Sequence, residues 1–159
     1  VLMSPKSLLG HSKAVSPVED FLEGTCFQEA LPDPHHFEDP EQVERIIFCT
    51  GKVYYDLVAH REEHGIDNTA IIRIEQLYPF HRQMVEAMIA PFTKVTNFVW
   101  CQEEPLNMGA WSYIWPRLDR TVHGKVRYAG RDAASSPAAG SKAMHYREQK
   151  ELLAHAFSV

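Results

Sequence analysis

Three short strings in this chain combine residue types that can do chemistry. His60, Glu63 and His64 fall as H-x-x-E-H, the spacing by which one class of zinc peptidase sets two histidines and a carboxylate along a helix. The string ends an amphipathic stretch, on the flank of its apolar face, and no other segment supplies an obvious third ligand. A solvated helix end accounts for it better than a metal centre, so no catalytic or metal-ligating residue is assigned. Gly51-Lys52 follows an apolar run, and backbone N–H groups at a helix start attract anions. The upstream glycine, the long turn and the Ser or Thr after the lysine that a phosphate loop needs are missing. Lys52 is kept as an anion contact, with strand punctuation the stronger reading. No G-x-G-x-x-G occurs, which leaves autonomous dinucleotide binding without support, and no cofactor-binding residue is assigned.

The third string, Gln102-Glu103-Glu104-Pro105, sits at the C-terminal end of a predicted strand, where open α/β sheets place functional loops. Adjacent carboxylates on a strand point to different sides and make a poor acid–base couple on one substrate atom. Capping the next helix, or pairing with an arginine across an interface, suits them at least as well. Asn107, Trp111, Tyr113 and Trp115 follow. Side chains this large and dense either fill a core or dominate a contact with a partner. They read as interface anchors, except that Trp111 is expected in the core, largely buried at the start of its helix.

These residues need a scaffold, and the hydrophobic pattern predicts one. From Val43 onward, short β-branched runs alternate with longer helical patterns, the mark of a parallel sheet with helices on its faces. Arg45 to Thr50 is a strand suited to burial on both faces. In Val53 to His64, Tyr54, Leu57, Val58 and Arg61 share one helix face, and Gly65 is placed as a stop. Ala70 to Glu75 is the next strand. After Tyr78-Pro79 comes a helix with Val85, Met88, Ile89 and Phe92 on one face, which Pro91 should end. Asn97 to Gln102 is a third strand and leads to a helix carrying Trp111, Ile114, Trp115 and Leu118. Pro116 there implies a first-turn position, a kink or two short helices. Lys125 to Gly130 is a fourth strand, residues 132–140 form a small-residue loop, and a helix runs from about Lys142 to Phe157. The sum is an open, mostly parallel three-layer α/β/α fold with right-handed crossovers. Residues 1–40, including SPKSLL and ALPDPHHFEDP, have little period and read as an entry arm and surface connector; residues 41–159 read as the domain.

Composition narrows the function classes. A chain of 159 residues is the size of one globular domain. The net charge of −5 carries no basic stripe, so neither nucleic acid nor an anionic membrane is a natural partner. No stretch reaches the roughly 20 apolar residues of a membrane span. Cys26, Cys49 and Cys101 are odd in number and far apart, and two lie in apolar runs, as buried thiols of a reducing compartment would. The start on VLMSPKSLL, without Met, looks like a cut from a longer chain of cytoplasmic or matrix-side origin.

Longer strings carry a resemblance. SPKSLL, CTGKVYYDL, AIIRIEQLYPF, FVWCQEEPLNMGAW and RYAG-R are similar, in this order and over nearly the whole chain, to the C-terminal region of the 2-oxoglutarate dehydrogenase decarboxylating component; the relative acting on 2-oxoadipate is the confusable subfamily. The resemblance implies a transketolase-like C-terminal domain. It also implies a parent enzyme that uses thiamin diphosphate and Mg²⁺ to decarboxylate 2-oxoglutarate and pass the succinyl unit to a lipoyl group on dihydrolipoyl succinyltransferase. Its cofactor would lie between two domains absent from this chain. The Gly-Asp-Gly…Asn motif that would hold it is missing here, so this chain alone should bind no cofactor and be inactive. Its partners would be the preceding domains, the dimer mate and the acyltransferase. Docking against those domains should strand apolar surface along the N-terminal arm, and self-association through it is expected. Some members of the family are similar to a regulatory alternative, with acetyl-CoA bound near the loop after the IEQL strand. Those relatives carry consecutive arginines after the proline, whereas this chain reads His81-Arg82-Gln83-Met84, a poor clamp for phosphates. Lys52, Gln76, Arg82, Gln102, Glu103, Glu104, Trp111 and Arg131 are the candidate effector or interface contacts.

Overall fold

Apolar runs buried from both sides build the sheet. A computed structural model describes residues 5–158; residues 1–4 of the arm and residue 159 lie outside the described residues. The strands are β1 (Ala30–Leu31), β2 (Arg45–Cys49), β3 (Thr69–Ile74), β4 (Asn97–Pro105) and β5 (Val126–Arg131). They lie in the order β1-β3-β2-β4-β5. β2 to β5 are parallel, and β1 runs antiparallel along β3. The helices are α1 (Val53–Glu63), α2 (Arg82–Ile89), α3 (Trp111–Val122) and α4 (Lys142–Ser158).

Strand alternation sorts the side chains into two cores. Ile46, Phe48, Ala70, Ile72, Ile74 and Trp100 pack with Val85 of α2 and with Ile114 and Leu118 of α3. Ile47, Cys49, Ile71, Val99 and Cys101 pack on the other face with Leu57 and Val58 of α1 and with Leu152 and Ala156 of α4. Two helices on each face make the three layers, and this double coverage is why the strands read as unbroken apolar runs.

Several boundaries differ from the sequence expectation for local reasons. β4 extends through Glu103 and Glu104 to Pro105, because its end pairs again with β5 at Pro105↔Arg131 after an irregularity in register. α2 stops at Ile89, so Phe92 packs on the same core from beyond the helix. α3 is continuous across Pro116, which lies past its first turn, so two short helices do not occur. The helix ends at His123 in the left-handed region, φ 50°, and Asp119 then accepts the Val126 N–H at 2.7 Å to start β5.

The segment read as a surface connector supplies part of the fold. Ala30 is buried in the pairing of β1 with β3. Asp33 accepts the Ile71 N–H at 2.7 Å and takes the Arg61 guanidinium through both carboxylate oxygens, with both side chains almost wholly buried. Phe37 meets Phe92 edge-on at 5.5 Å. The arm before it, residues 5–28, has only two short 3-10 turns among the described residues and leaves Leu9, Val15, Val18, Phe21 and Phe27 exposed.

Candidate functional site

Gln102 organises the carboxyl edge of the sheet. Its residue is 2% exposed, and burial of a primary amide demands partners for both its oxygen and its nitrogen. Oε1 accepts from Trp100 Nε1 at 2.9 Å and from the Trp111 backbone N–H at 3.0 Å. Nε2 donates to the carbonyls of Met108, Glu104 and Pro105 at 2.8, 3.2 and 3.3 Å. One side chain thereby folds the loop over itself and caps α3, whose own cap position, Ala110, has no side chain to do so. The loop closes on Gly109 at φ +68°, where an added Cβ would stand 2.9 Å from both Gln102 Nε2 and Glu104 Cβ.

Trp111 begins α3 and contacts Tyr128, with ring centres 5.3 Å apart. It is partly buried and packs against the core on the α2 and α3 face, at its margin. The fully buried tryptophan is Trp100, in the middle of β4, because a central strand covered on both faces hides more surface than the first turn of a covering helix. Trp115 is exposed at 41%.

On the opposite face of β4, Lys52 Nζ meets Glu103 at 2.5 Å and Asp56 at 3.6 Å, and Gln149 of α4 donates to Asp56 at 2.9 Å. Glu103 and Glu104 thus do diverge. Lys52, the candidate anion contact, is here engaged by two carboxylates. Arg131, closing β5, is tied to α4. It lies 3.1 Å from His145 and 3.3 Å from Gln149, and its buried Nε forms an ion pair with Glu148 at 3.2 Å without hydrogen-bond alignment. The Tyr128 hydroxyl donates within the same edge, lying 3.0 Å from the Glu104 carbonyl and 2.9 Å from that of Arg131. Burial pushes its pKa up to about 12. The Asn107 side chain pairs with both backbone groups of Ala134 at 3.0 Å, pinning the loop before α4.

The other candidates stand apart from this cluster. Gln76 donates to the Pro79 carbonyl at 3.1 Å. Arg82 pairs with Glu86 at 2.6 Å and donates to the Arg120 carbonyl at 3.2 Å, while His81 Nδ1 caps α2 by accepting the Met84 N–H at 3.1 Å. Gln76, His81 and Arg82 are all engaged within the protein, which lends the effector reading no support. His60 stacks on His64 and Phe157 with ring centres 4.1 and 5.0 Å apart, and burial lowers its pKa. Among the described residues, no three His, Cys, Asp or Glu side chains gather as a metal site.

Two features escaped sequence reasoning. The Asp33–Arg61 pair was half visible, since Arg61 falls on the apolar face of α1, but nothing pointed to its partner. Gly109 and Gly130 lie inside quoted strings, yet their steric need appears only in three dimensions: a Cβ on Gly130 would stand 2.3 Å from the Tyr128 hydroxyl.

A pocket of about 380 Å³ opens beside Gln102, lined by Thr50, Leu77, Tyr78, Glu104, Ala110 and Tyr113. Thiamin diphosphate with Mg²⁺ does not suit this edge. A diphosphate needs free cations or amides, whereas Lys52 is spent on two carboxylates and the Trp111 amide on Gln102. No helix among the described residues is long and apolar enough to cross a membrane.

The family model for the 2-oxoglutarate dehydrogenase C-terminal region matches residues 15–157. The chain is 44% identical to the 2-oxoglutarate dehydrogenase E1 component of Azotobacter vinelandii, with 100% of this chain and 17% of that protein aligned. It is 45% identical to the mitochondrial 2-oxoglutarate dehydrogenase of Caenorhabditis briggsae, over 100% of this chain and 16% of that one. The Cupriavidus necator E1 component is 46% identical over 99% of this chain and 17% of its own length. The chain therefore spans only 16–17% of the length of these curated relatives. With a model matched from the arm through α4, and relatives aligned over the strings that build the Gln102 edge, the chain belongs to the 2-oxoglutarate dehydrogenase C-terminal family.

Proposed function

We propose that this chain works as the C-terminal structural and assembly domain of a 2-oxoglutarate dehydrogenase decarboxylating component, a thiamin-diphosphate enzyme of the tricarboxylic acid cycle. Residues 1–40 serve as its entry arm and connector, the later part of which, from β1 to Phe37, packs onto the transketolase-like domain of residues 41–159. The whole enzyme decarboxylates 2-oxoglutarate and succinylates the lipoyl group of dihydrolipoyl succinyltransferase within a multienzyme complex. It does so in the bacterial cytoplasm or the mitochondrial matrix, and relatives of both kinds support that pair of locations. Thiamin diphosphate and Mg²⁺ are held by domains outside this chain. The domain's partners are those domains, the dimer mate and the acyltransferase.

The observation that carries the reading is that the carboxyl edge, the exposed Glu104 carboxylate apart, spends its polar groups on itself. Gln102, Lys52, Glu103, Asn107 and Arg131 brace loops and helices, while Tyr78, Leu106 and Trp115 remain exposed. A rigid edge with outward apolar side chains suits packing against a neighbour better than turnover. Its contribution to catalysis is to hold the neighbouring domains in register. The test is to express the remainder of the polypeptide with and without this chain and to follow 2-oxoglutarate-dependent reduction of ferricyanide. Activity that requires this chain is expected; a fully active remainder without it would refute the proposal.

A further inference from the structure

The acidic side chains at the carboxyl ends of β2, β3 and β4 are held by cations, save one. Asp56 and Glu103 share Lys52, and Glu75 holds Arg73 at 2.9 Å. Glu104 is exposed, and its carboxylate has no hydrogen-bond or ion-pair partner among the described residues; only its backbone carbonyl is used, by Gln102 and Tyr128. Glu104 lines the pocket of about 380 Å³ together with Tyr78, which is 80% exposed, and with Leu77, Ala110 and Tyr113.

Glu104, with its unpaired carboxylate, and Tyr78, with its open ring, line one pocket whose other walls are mostly apolar, a combination complementary to a guanidinium. The planar cation can stack on the ring while its fork of N–H donors meets the carboxylate, and its weak hydration lowers the cost of entry relative to an ammonium. The pocket is at the small end of the range for ligands, a fit for one long side chain. It also disfavours phosphate. No cation lines it, the Trp111 amide at the start of α3 is capped by Gln102, and the Tyr113 and Ile114 amides are bonded to the Ala110 carbonyl at 3.0 and 2.8 Å.

We propose that this pocket receives an arginine side chain, presented beside an apolar residue by a protein segment that packs on the carboxyl edge. The inference rests on the reading of that edge as a covered face and adds the chemistry of what covers it.

The test is an NMR titration of the ¹⁵N-labelled chain with N-acetyl-leucyl-arginine amide, with its citrulline counterpart, and with AMP as the anionic control. The arginine peptide should give saturable shifts at Tyr78, Glu104, Ala110 and Tyr113, and Glu104→Gln, an exposed and nearly isosteric change, should weaken binding about tenfold, the loss of one charge-assisted contact. Citrulline and AMP should leave those amides unmoved. Equal binding of the citrulline peptide, no shift at the pocket with arginine, an unaffected Glu104→Gln variant, or AMP seated in the pocket would each overturn the proposal. A remainder that still needs this chain for activity while the pocket ignores arginine would remove this inference alone and leave the domain's role standing.

Discussion

The side-chain oxygen of Gln102 accepts the backbone N–H of Trp111 at 3.0 Å, across nine residues of chain. The end of β4 is thereby joined to the start of α3 by a group buried at both ends of its amide. Replacing Gln102 with Leu keeps the bulk but leaves the Trp100 indole N–H, the Trp111 N–H and the Met108 carbonyl without that partner. Because each buried group left unpaired costs about 1–3 kcal/mol, the variant should lose roughly 3–5 kcal/mol in urea unfolding, the higher figures applying where water cannot enter. A loss below about 1 kcal/mol, the worth of a single ordinary hydrogen bond, would contradict the hub role.

Gly109 and Gly51 both have positive φ, +68° and +66°, but differ in surroundings. A Cβ on Gly51 meets nothing within 4 Å, whereas on Gly109 it meets Gln102 and Glu104 at 2.9 Å. Gly51→Ala should cost only the left-handed backbone penalty of about 1–2 kcal/mol. Gly109→Ala should cost more, because it also pushes on the amide that caps α3. Denaturant midpoints of the two variants make the comparison, and equal losses would show that the close approach carries no energy.

Trp100 and Trp111 offer a second internal comparison. Trp100→Ala removes a fully buried side chain from the sheet and should cost about 3–5 kcal/mol. Trp111→Ala removes one that is partly open to solvent and should cost clearly less. The order of the two melting temperatures tests this assignment of core and edge; a larger drop for Trp111→Ala would reverse it.

Alkaline pH should loosen the same edge through Tyr128. Burial raises its pKa from 10.0 to about 12, so the fold favours the neutral phenol. The stability linked to this group is fully present below pH 10 and is lost as pH rises through 10 towards 12. Urea midpoints measured across that interval should fall more steeply for the natural protein than for Tyr128→Phe, which has no proton to lose. Parallel slopes would show that the hydroxyl does not titrate with unfolding.

The β2 to β5 core was legible because its helices cover both faces, and burial on two sides writes continuous apolar runs such as Ile46–Cys49 into a sequence. α1 was legible through Leu57, Val58 and Arg61. β1 was not: two residues carry no period, and Ala30–Leu31 becomes a strand only because β3 offers it an edge. Asp33 was hidden for a related reason, since its partners Arg61 and Ile71 are distant in sequence and a Pro-Asp-Pro string resembles a turn. At the site, divergence of Glu103 and Glu104 followed from strand geometry alone. The engagement of Lys52 by Glu103, the cap supplied by Gln102 and the partial exposure of Trp111 depend on how strand ends and helix starts meet, which local pattern does not encode.

If, as proposed, this domain shapes a thiamin-diphosphate enzyme whose cofactor other domains hold, calorimetric titration of the purified chain with thiamin diphosphate and Mg²⁺ decides the matter. No saturable heat is expected, because Lys52 is paired with carboxylates, the amide at the start of α3 is already capped, and no carboxylate cluster awaits a cation among the described residues. Saturable binding at micromolar cofactor would contradict that proposal.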